Sequence, residues 1–274
     1  MILYNDNVKK SITVDNPWFK QARELYIRVF KDSEAFCDVV LNNAKALSIE
    51  MYESKVVACA FIREKQIKVK GTTIKVAFMF GVATDEKYRN KGYSRRVIEN
   101  VFEHLKSEYE YLLLCPANFG LYSFYSKFGF EPLTYFSYLK GDVMVNEGTV
   151  VQGSIKDVEK VYEIFMLNSE HLDTTQQRSL SQIQTRLKEL FADKGELFFV
   201  EKDSKKVGYF LLEDKKYITE HVNAEIKYAN SGEYIVVCSS TELKEENKCP
   251  GVVIKALNGK SIDNICGIIF YEMW

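Results

Sequence analysis

The sequence predicts an α/β protein: a mixed sheet with helices on both faces, followed by a second region of related build. Three observations carry this. The first half reads as strands, a helix, a strand, a helix and a strand, an order that suits a sheet covered on both sides. Within it, residues 76–96 combine an apolar run (Val76–Thr84), a polar turn (Asp85–Tyr88) and a tight loop at Gly92 that opens a helix. The second half begins strand, helix, helix, strand, strand, which resembles the start of the first half and suggests a diverged repeat.

Residues 1–16 are mixed and suggest a short strand or arm. Pro17 suits a first helical turn. Phe19, Ala22, Tyr26, Val29 and Phe30 then recur on one face. A second helix is expected over Ser33–Lys45. Ala46–Tyr52 and Lys55–Phe61 read as strands about a turn at Glu53-Ser54, and Lys65–Gly71 and Thr72–Val82 as another pair about Lys70-Gly71. After Gly92, the residues Val97, Ile98, Val101, Phe102 and Leu105 line one helix face, and Arg96, Glu99, Asn100, Glu103 and Lys106 the other. Tyr111–Cys115 is a compact apolar run, a central strand broken by Pro116-Ala117-Asn118. A helix follows over Phe119–Lys127 and stops at Gly129. Phe130–Lys140 is a strand region, and Gly141–Gly148 is the expected boundary between domains at 1–140 and 149–274.

Beyond it come a strand (Thr149–Gly153), a helix (Asp157–Asn168), a polar segment (His171–Gln177) and a helix (Ser181–Asp193). Leu197–Glu201 and Val207–Leu212 are strands about Asp203-Ser204, with further strands at Ile218–Ala224 and Glu233–Cys238. The stretch Val252–Trp274 alternates apolar runs with turns at Asn258-Gly259 and Asp263-Asn264.

Composition excludes several classes. The chain has 274 residues, 46% hydrophobic and 27% charged, which is ordinary for a globular protein of one large or two smaller domains. A net charge of −1 gives no reason to expect nucleic acid or an anionic membrane as the main partner. The six cysteines form no Cys-x-x-Cys pair and the three histidines lack metal-ligand spacing, so no metal site is expected. Cys59, Cys115 and Cys266 lie in apolar runs and read as buried free thiols. Asn5, Asp6 and Asn7 interrupt any signal peptide, and no run approaches the roughly 18 apolar residues that span a membrane. A reduced, cytoplasmic protein is expected.

The chemistry concentrates at Gly92. A glycine there lets the backbone turn sharply and approach another molecule. The first amides of the following helix lack partners and lie at the positive end of its dipole, a ready site for phosphate. Arg89, Lys91, Arg95 and Arg96 add positive charge. The loop reads equally as a structural turn into a surface helix. It is neither a nucleotide P-loop nor a dinucleotide fingerprint, because the required Gly-Lys-Ser/Thr and the further glycines are missing.

Two motifs make a resemblance. Arg89-x-x-Gly92-x-Ser94 resembles the acyl-CoA pyrophosphate loop of the GNAT acetyltransferases, with Ser where Gly or Ala is usual, and Val82-Ala83-Thr84 sits where that family's central strand lends backbone groups to the pantetheine arm. Asn118-Phe-Gly-Leu-Tyr-Ser-Phe-Tyr125-Ser-Lys-Phe-Gly129-Phe130 resembles the family's later signature. The resemblance covers roughly residues 10–140 and is nearest to the multi-domain Eis-like branch, in which a second, degenerate GNAT-like domain follows. The chain is short for that branch, with little room for a third domain.

The resemblance implies transfer of an acetyl group from acetyl-CoA to a primary amine of a small molecule or peptide. Val82, Ala83, Thr84, Arg89, Asn90, Lys91, Gly92, Tyr93, Ser94, Arg95 and Asn118 would bind the cofactor. Tyr125 would be the general acid, with Tyr122 as its rival. For the base, the resemblance points to the terminal carboxylate of Trp274; Glu50, Glu53, acids of the early helices and a water relay are alternatives. The implied partners are acetyl-CoA and an amine acceptor, without nucleic acid or membrane, with a homo-oligomer left open. A wider groove for protein substrates and a non-catalytic acyl-CoA-binding sensor or interaction module are the competing readings.

Overall fold

The computed structural model describes residues 1–4, 16–144, 148–172, 175–228, 232–240 and 249–257. They fall into two compact units. The first holds the described residues within Met1–Lys65, Lys75–Leu114 and 255–257; the second holds those within Gln66–Ile74 and Cys115–Ile254.

In the first unit, β1 (Ile2–Tyr4) pairs antiparallel with β2 (Ala46–Tyr52), and β2 with β3 (Lys55–Val69). The strand order is β1, β2, β3, then β4 (Thr72–Thr84) and β5 (Tyr111–Leu114), the last two parallel. Between β1 and β2 lie α1 (Pro17–Phe30) and α2 (Glu34–Asn42). Asn16 and Ser33 cap these helices by accepting backbone N–H groups, and Lys31, at φ 62°, turns the chain out of α1. Phe19, Ala22, Leu25 and Tyr26 of α1 and Cys37, Val40 and Leu41 of α2 bury against Leu47, Ile49, Cys59, Phe61 and Ala83. Phe30, expected in this stripe, is 40% exposed and lays its ring on Tyr26 instead. Connecting β4 to β5 is α3 (Tyr93–Leu105), which buries Val97, Ile98, Val101 and Leu105. The buried Ser48 hydroxyl of β2 donates to the Val97 carbonyl.

β3 runs unbroken where the sequence suggests two strands parted near Arg63-Glu64. These charges do not turn the chain because each finds a partner in place. Arg63 donates to the Val40 carbonyl, and the Glu64 carboxylate accepts from Lys45, Tyr109 and Lys75. Helix α2 also stops three residues short of the expected Lys45, whose amine is part of that same cluster.

The second unit opens with α4 (Phe119–Ser126), β6 (Glu131–Pro132) and β7 (Tyr135–Met144). There follow β8 (Thr149–Gln152), α5 (Val158–Ser169), β9 (Thr175–Gln177) and α6 (Leu180–Ala192). The remaining strands are β10 (Glu196–Lys202), β11 (Lys205–Glu213), β12 (Tyr217–Val222), β13 (Glu225–Tyr228), β14 (Tyr234–Ser240), β15 (Cys249–Pro250) and β16 (Val253–Ala256). Its main sheet has the order β13, β7, β14, β12, β11, β10, β8. Helices α5 and α6 cover one face through Val161, Phe165, Leu187 and Leu190 on Phe199, Tyr209 and Leu211. The other face carries Val200, Phe210, Leu212 and Ile218.

Two sequence expectations change here. The first residues of the expected boundary at Gly141–Gly148 are strand, since β7 continues to Met144 and pairs with both β13 and β14. The polar segment His171–Gln177 holds β9, which pairs antiparallel with Gln66–Lys68; strand pairing there overrides a composition that reads as loop. Cys37 and Cys59 are buried free thiols, as the sequence suggests for Cys59; Cys115 is half-buried, and Cys266 lies outside the described residues.

Candidate active site

The strand that precedes the glycine loop holds one residue in the left-handed region. Gly81 sits at φ 59° inside β4, and a Cβ there would lie 2.7 Å from the Tyr26 ring. Only a glycine holds this left-handed conformation and this close approach without strain. The sequence hides it, because one glycine in an apolar run reads only as a gap in the pattern. The parallel register with β5 joins Ala77 to Leu112 and Phe78 to Leu113; β4 then continues to Thr84, while β5 ends at Leu114. Past Gly81, Ala83 is buried in the cluster that includes the α1 residues, and Val82 and Thr84 are half-buried.

The loop follows at once. The Asp85 amide donates to the Val57 carbonyl, and the Asp85 carboxylate caps the short turn Glu86–Tyr88 by accepting the Lys87 amide. Arg89 is extended, Asn90 adopts φ 61°, and Gly92, at φ 78°, is the N-cap of α3. No side chain caps this helix. The first amides of α3, those of Tyr93 and Ser94, therefore lie at the positive end of a thirteen-residue helix. Arg89, Asn90 and Lys91 are exposed, and Tyr93 and Ser94 half-buried. The Lys91 amine lies 5.2 Å from the Tyr88 ring centre. Arg95 pairs with Glu99, and Arg96 with Glu50, while the Arg96 guanidinium stacks over Tyr93. Glu50, a base candidate from sequence, is thus engaged by Arg96 and by Asn100.

The structure brings together Val82, Ala83, Thr84, Arg89, Asn90, Lys91, Gly92, Tyr93, Ser94 and Arg95 in one turn of the first unit. Asn118 and Tyr125 share α4 in the second. Asn118 is its N-cap, its Oδ1 accepting the Leu121 amide at 2.9 Å. Tyr125 is 6% exposed, with Phe124 and Phe130 edge-on around its ring. Burial pushes its hydroxyl pKa well above the usual tyrosine value, so it holds its proton. Tyr122 is half-buried against Phe119. Trp274 lies outside the described residues.

Residues 13–133 match the family model for the acetyltransferase (GNAT) domain. That match covers 121 of the 274 residues and speaks for this part of the chain. Solved structures extend the likeness beyond that segment. A protein of Enterococcus faecalis, described as a probable N-acyltransferase of unknown function, aligns over 97% of this chain and 73% of its own, with 13% identity and a TM-score of 0.67. A GCN5-related N-acetyltransferase from Anabaena variabilis aligns over 94% and 73%, with 12% identity and a TM-score of 0.63. Eis1 from Mycobacterium abscessus aligns over 94% and 74%, with 12% identity and a TM-score of 0.57. At such identities the likeness is one of fold, and it spans both halves of the chain. No curated protein matches its sequence.

Proposed function

We propose that this chain is an acetyl-CoA-dependent N-acetyltransferase acting on a primary amine of a small molecule or peptide by direct attack on the thioester. The observation that carries the reading is the N-terminus of α3, uncapped by any side chain behind a left-handed glycine, a few residues after the end of β4. The GNAT match supports acyl-CoA as the donor class. Acetyl as the acyl group is our inference. The domain bounds we propose are 1–140 for the acyl-CoA-binding domain and 149–274 for a degenerate GNAT-like domain. The order β8, α5, β9, α6, β10, β11 of the second half, with the short β9 set between its two helices, supports its origin as a diverged repeat.

In this mechanism the cofactor's pyrophosphate lies on the amides of Tyr93, Ser94 and Arg95, with Arg89 and Lys91 as counter-charges. The backbone of Val82, Ala83 and Thr84 holds the pantetheine arm, and the Val82 amide donates to the thioester oxygen as it gains charge. The amine nitrogen bonds to the carbonyl carbon, the carbon–sulfur bond breaks, and the Tyr125 hydroxyl gives its proton to the departing thiolate. The proton lost by the amine passes to water. Burial keeps Tyr125 protonated and also makes it a weaker acid than an exposed tyrosine.

The test is release of free CoA from acetyl-CoA across a panel of amines, comparing wild type with Tyr125→Phe. Amine-dependent release that falls about 10²-fold in the variant is expected. Unchanged release removes Tyr125 from the mechanism. Tight acetyl-CoA binding without release on any amine moves the protein to the sensor class.

A further inference from the structure

We propose that a cleft beside the end of β4 is an anion-binding subsite that selects amine acceptors carrying a phosphate or carboxylate; the proposal rests on the acyltransferase reading above. The cleft measures about 570 Å³ and lies wholly within the first unit. Arg28 and Lys31 enter it from the end of α1, Lys55 from the start of β3, and Lys87 and Arg89 from the turn after β4. Two carboxylates, Asp85 and Glu86, share it with these five cations.

The two carboxylates do not cancel the positive charge. Asp85 Oδ2 accepts from Arg28 at 3.0 Å and Lys55 at 3.2 Å, and its Oδ1 accepts the Lys87 amide at 3.1 Å. Burial opposes its charge, but the Lys87 amide, Lys55 and Arg28 together hold its pKa below the usual carboxylate range. Asp85 is therefore a fixed part of the cleft that aligns two of the cations. Glu86 is exposed and stands 3.8 Å from Arg89. The Lys31 and Lys87 side chains have no ion-pair or hydrogen-bond partner among the described residues. Their backbones are set: Lys31 closes α1 with its amide on the Ile27 carbonyl, and Lys87 lies in the capped turn. Two unpaired ammonium groups around an aligned cationic floor are what a phosphate or carboxylate requires.

Position connects the cleft to the reaction. Asp85 is the residue after Thr84, at the end of the strand assigned to the pantetheine arm, and Arg89 is the first residue of the glycine loop. The end of α1, however, belongs to no part of that loop. The cleft therefore shares Arg89 with the loop and draws Arg28 and Lys31 from outside it. The same chemistry could serve the 3′-phosphate of CoA, and the experiment separates the two sources.

The experiment compares kcat/KM for O-phosphoethanolamine with ethanolamine, and for 5-aminopentanoate with pentylamine, in wild type and in Lys31→Gln/Lys87→Gln. KM values for acetyl-CoA and 3′-dephospho-acetyl-CoA are taken alongside. Wild type is expected to favour the charged member of each pair, and the double variant to lose about tenfold of that preference, equal to about 1.4 kcal/mol. Equal or better use of the neutral amines by wild type overturns the proposal. So does a variant whose KM rises for acetyl-CoA and not for the dephospho form. An absence of turnover on every amine counts against the acyltransferase reading, and the cleft is then read without catalysis. Calorimetric binding of O-phosphoethanolamine to the CoA complex, lost in the double variant, supports the subsite; no binding to wild type overturns it.

Discussion

Two glycines of one strand-loop unit carry different burdens. At Gly81 a methyl group would meet Tyr26 Cε2 at 2.7 Å and Cδ2 at 2.9 Å, on a backbone held at φ 59°. Gly81→Ala therefore combines overpacking with a left-handed strain and is expected to cost about 1–3 kcal/mol. A urea midpoint equal to that of wild type would sink this account. At Gly92 the nearest atom to an added Cβ is Arg96 Nη1 at 3.4 Å, an ordinary contact, so only φ 78° resists substitution. Gly92→Ala should cost about 1–2 kcal/mol in stability, with a larger relative change in KM for acetyl-CoA because the amides are re-aimed. A KM that stays put while stability falls would separate the loop from the cofactor. The two were unequally legible. Gly92 stands among charged residues at the head of a helical pattern, where a glycine has an evident use. Gly81 stands in an apolar run, and the ring it must clear, Tyr26, lies far away in sequence.

Helix α4 tests the element scale. Its N-cap is Asn118, whose side chain accepts the Leu121 amide, and the helix is short at eight residues. Asn118→Ala is expected to destabilise by about 0.5–2 kcal/mol, with Asn118→Asp recovering most of it. Thermal melts of the two variants decide this; an alanine variant as stable as wild type would show that the cap contributes nothing. Helices of this kind were readable because their caps and stripes are local: Val97, Ile98, Val101 and Leu105 fall on the buried face of α3 as the periodicity requires. The two-residue turns were readable too, since Glu53-Ser54, Lys70-Gly71 and Asp203-Ser204 all take the positive φ values that close a hairpin. What failed was non-local. β3 passes through Arg63-Glu64 because partners from α2, β4 and the residues after α3 neutralise those charges. β9 forms because Gln66–Lys68 offers it an edge. Neither partner is visible from the segment itself.

Across the molecule, charge is paired in one pattern and buried acids in another, and this sets the pH range of the fold. Glu64, Asp85 and Asp157 all have pKa values held below normal: burial opposes each charge, and Lys45, Tyr109 and Lys75 at Glu64, the Lys87 amide and Lys55 at Asp85, and Lys206 and Ser154 at Asp157 outweigh it. Groups with depressed folded values stabilise above their unfolded pKa, about 3.9 for Asp and 4.3 for Glu, and lose that stability as pH falls through the folded values. Burial acts the other way on Cys37 and Cys59, raising their thiols to about 11 and about 12. Their contribution is complete below the unfolded value of about 8.5 and is lost as pH rises toward the folded ones. Urea midpoints are thus expected to form a plateau from roughly pH 5 to 8, falling on both sides. Lys206→Met removes the partner of Asp157 and should shallow the acid limb without touching the alkaline one; Cys59→Ala should do the reverse. Because Asp157 and Cys59 lie in different units, limbs that respond to the wrong variant would show that the pH dependence arises elsewhere than in these pairs.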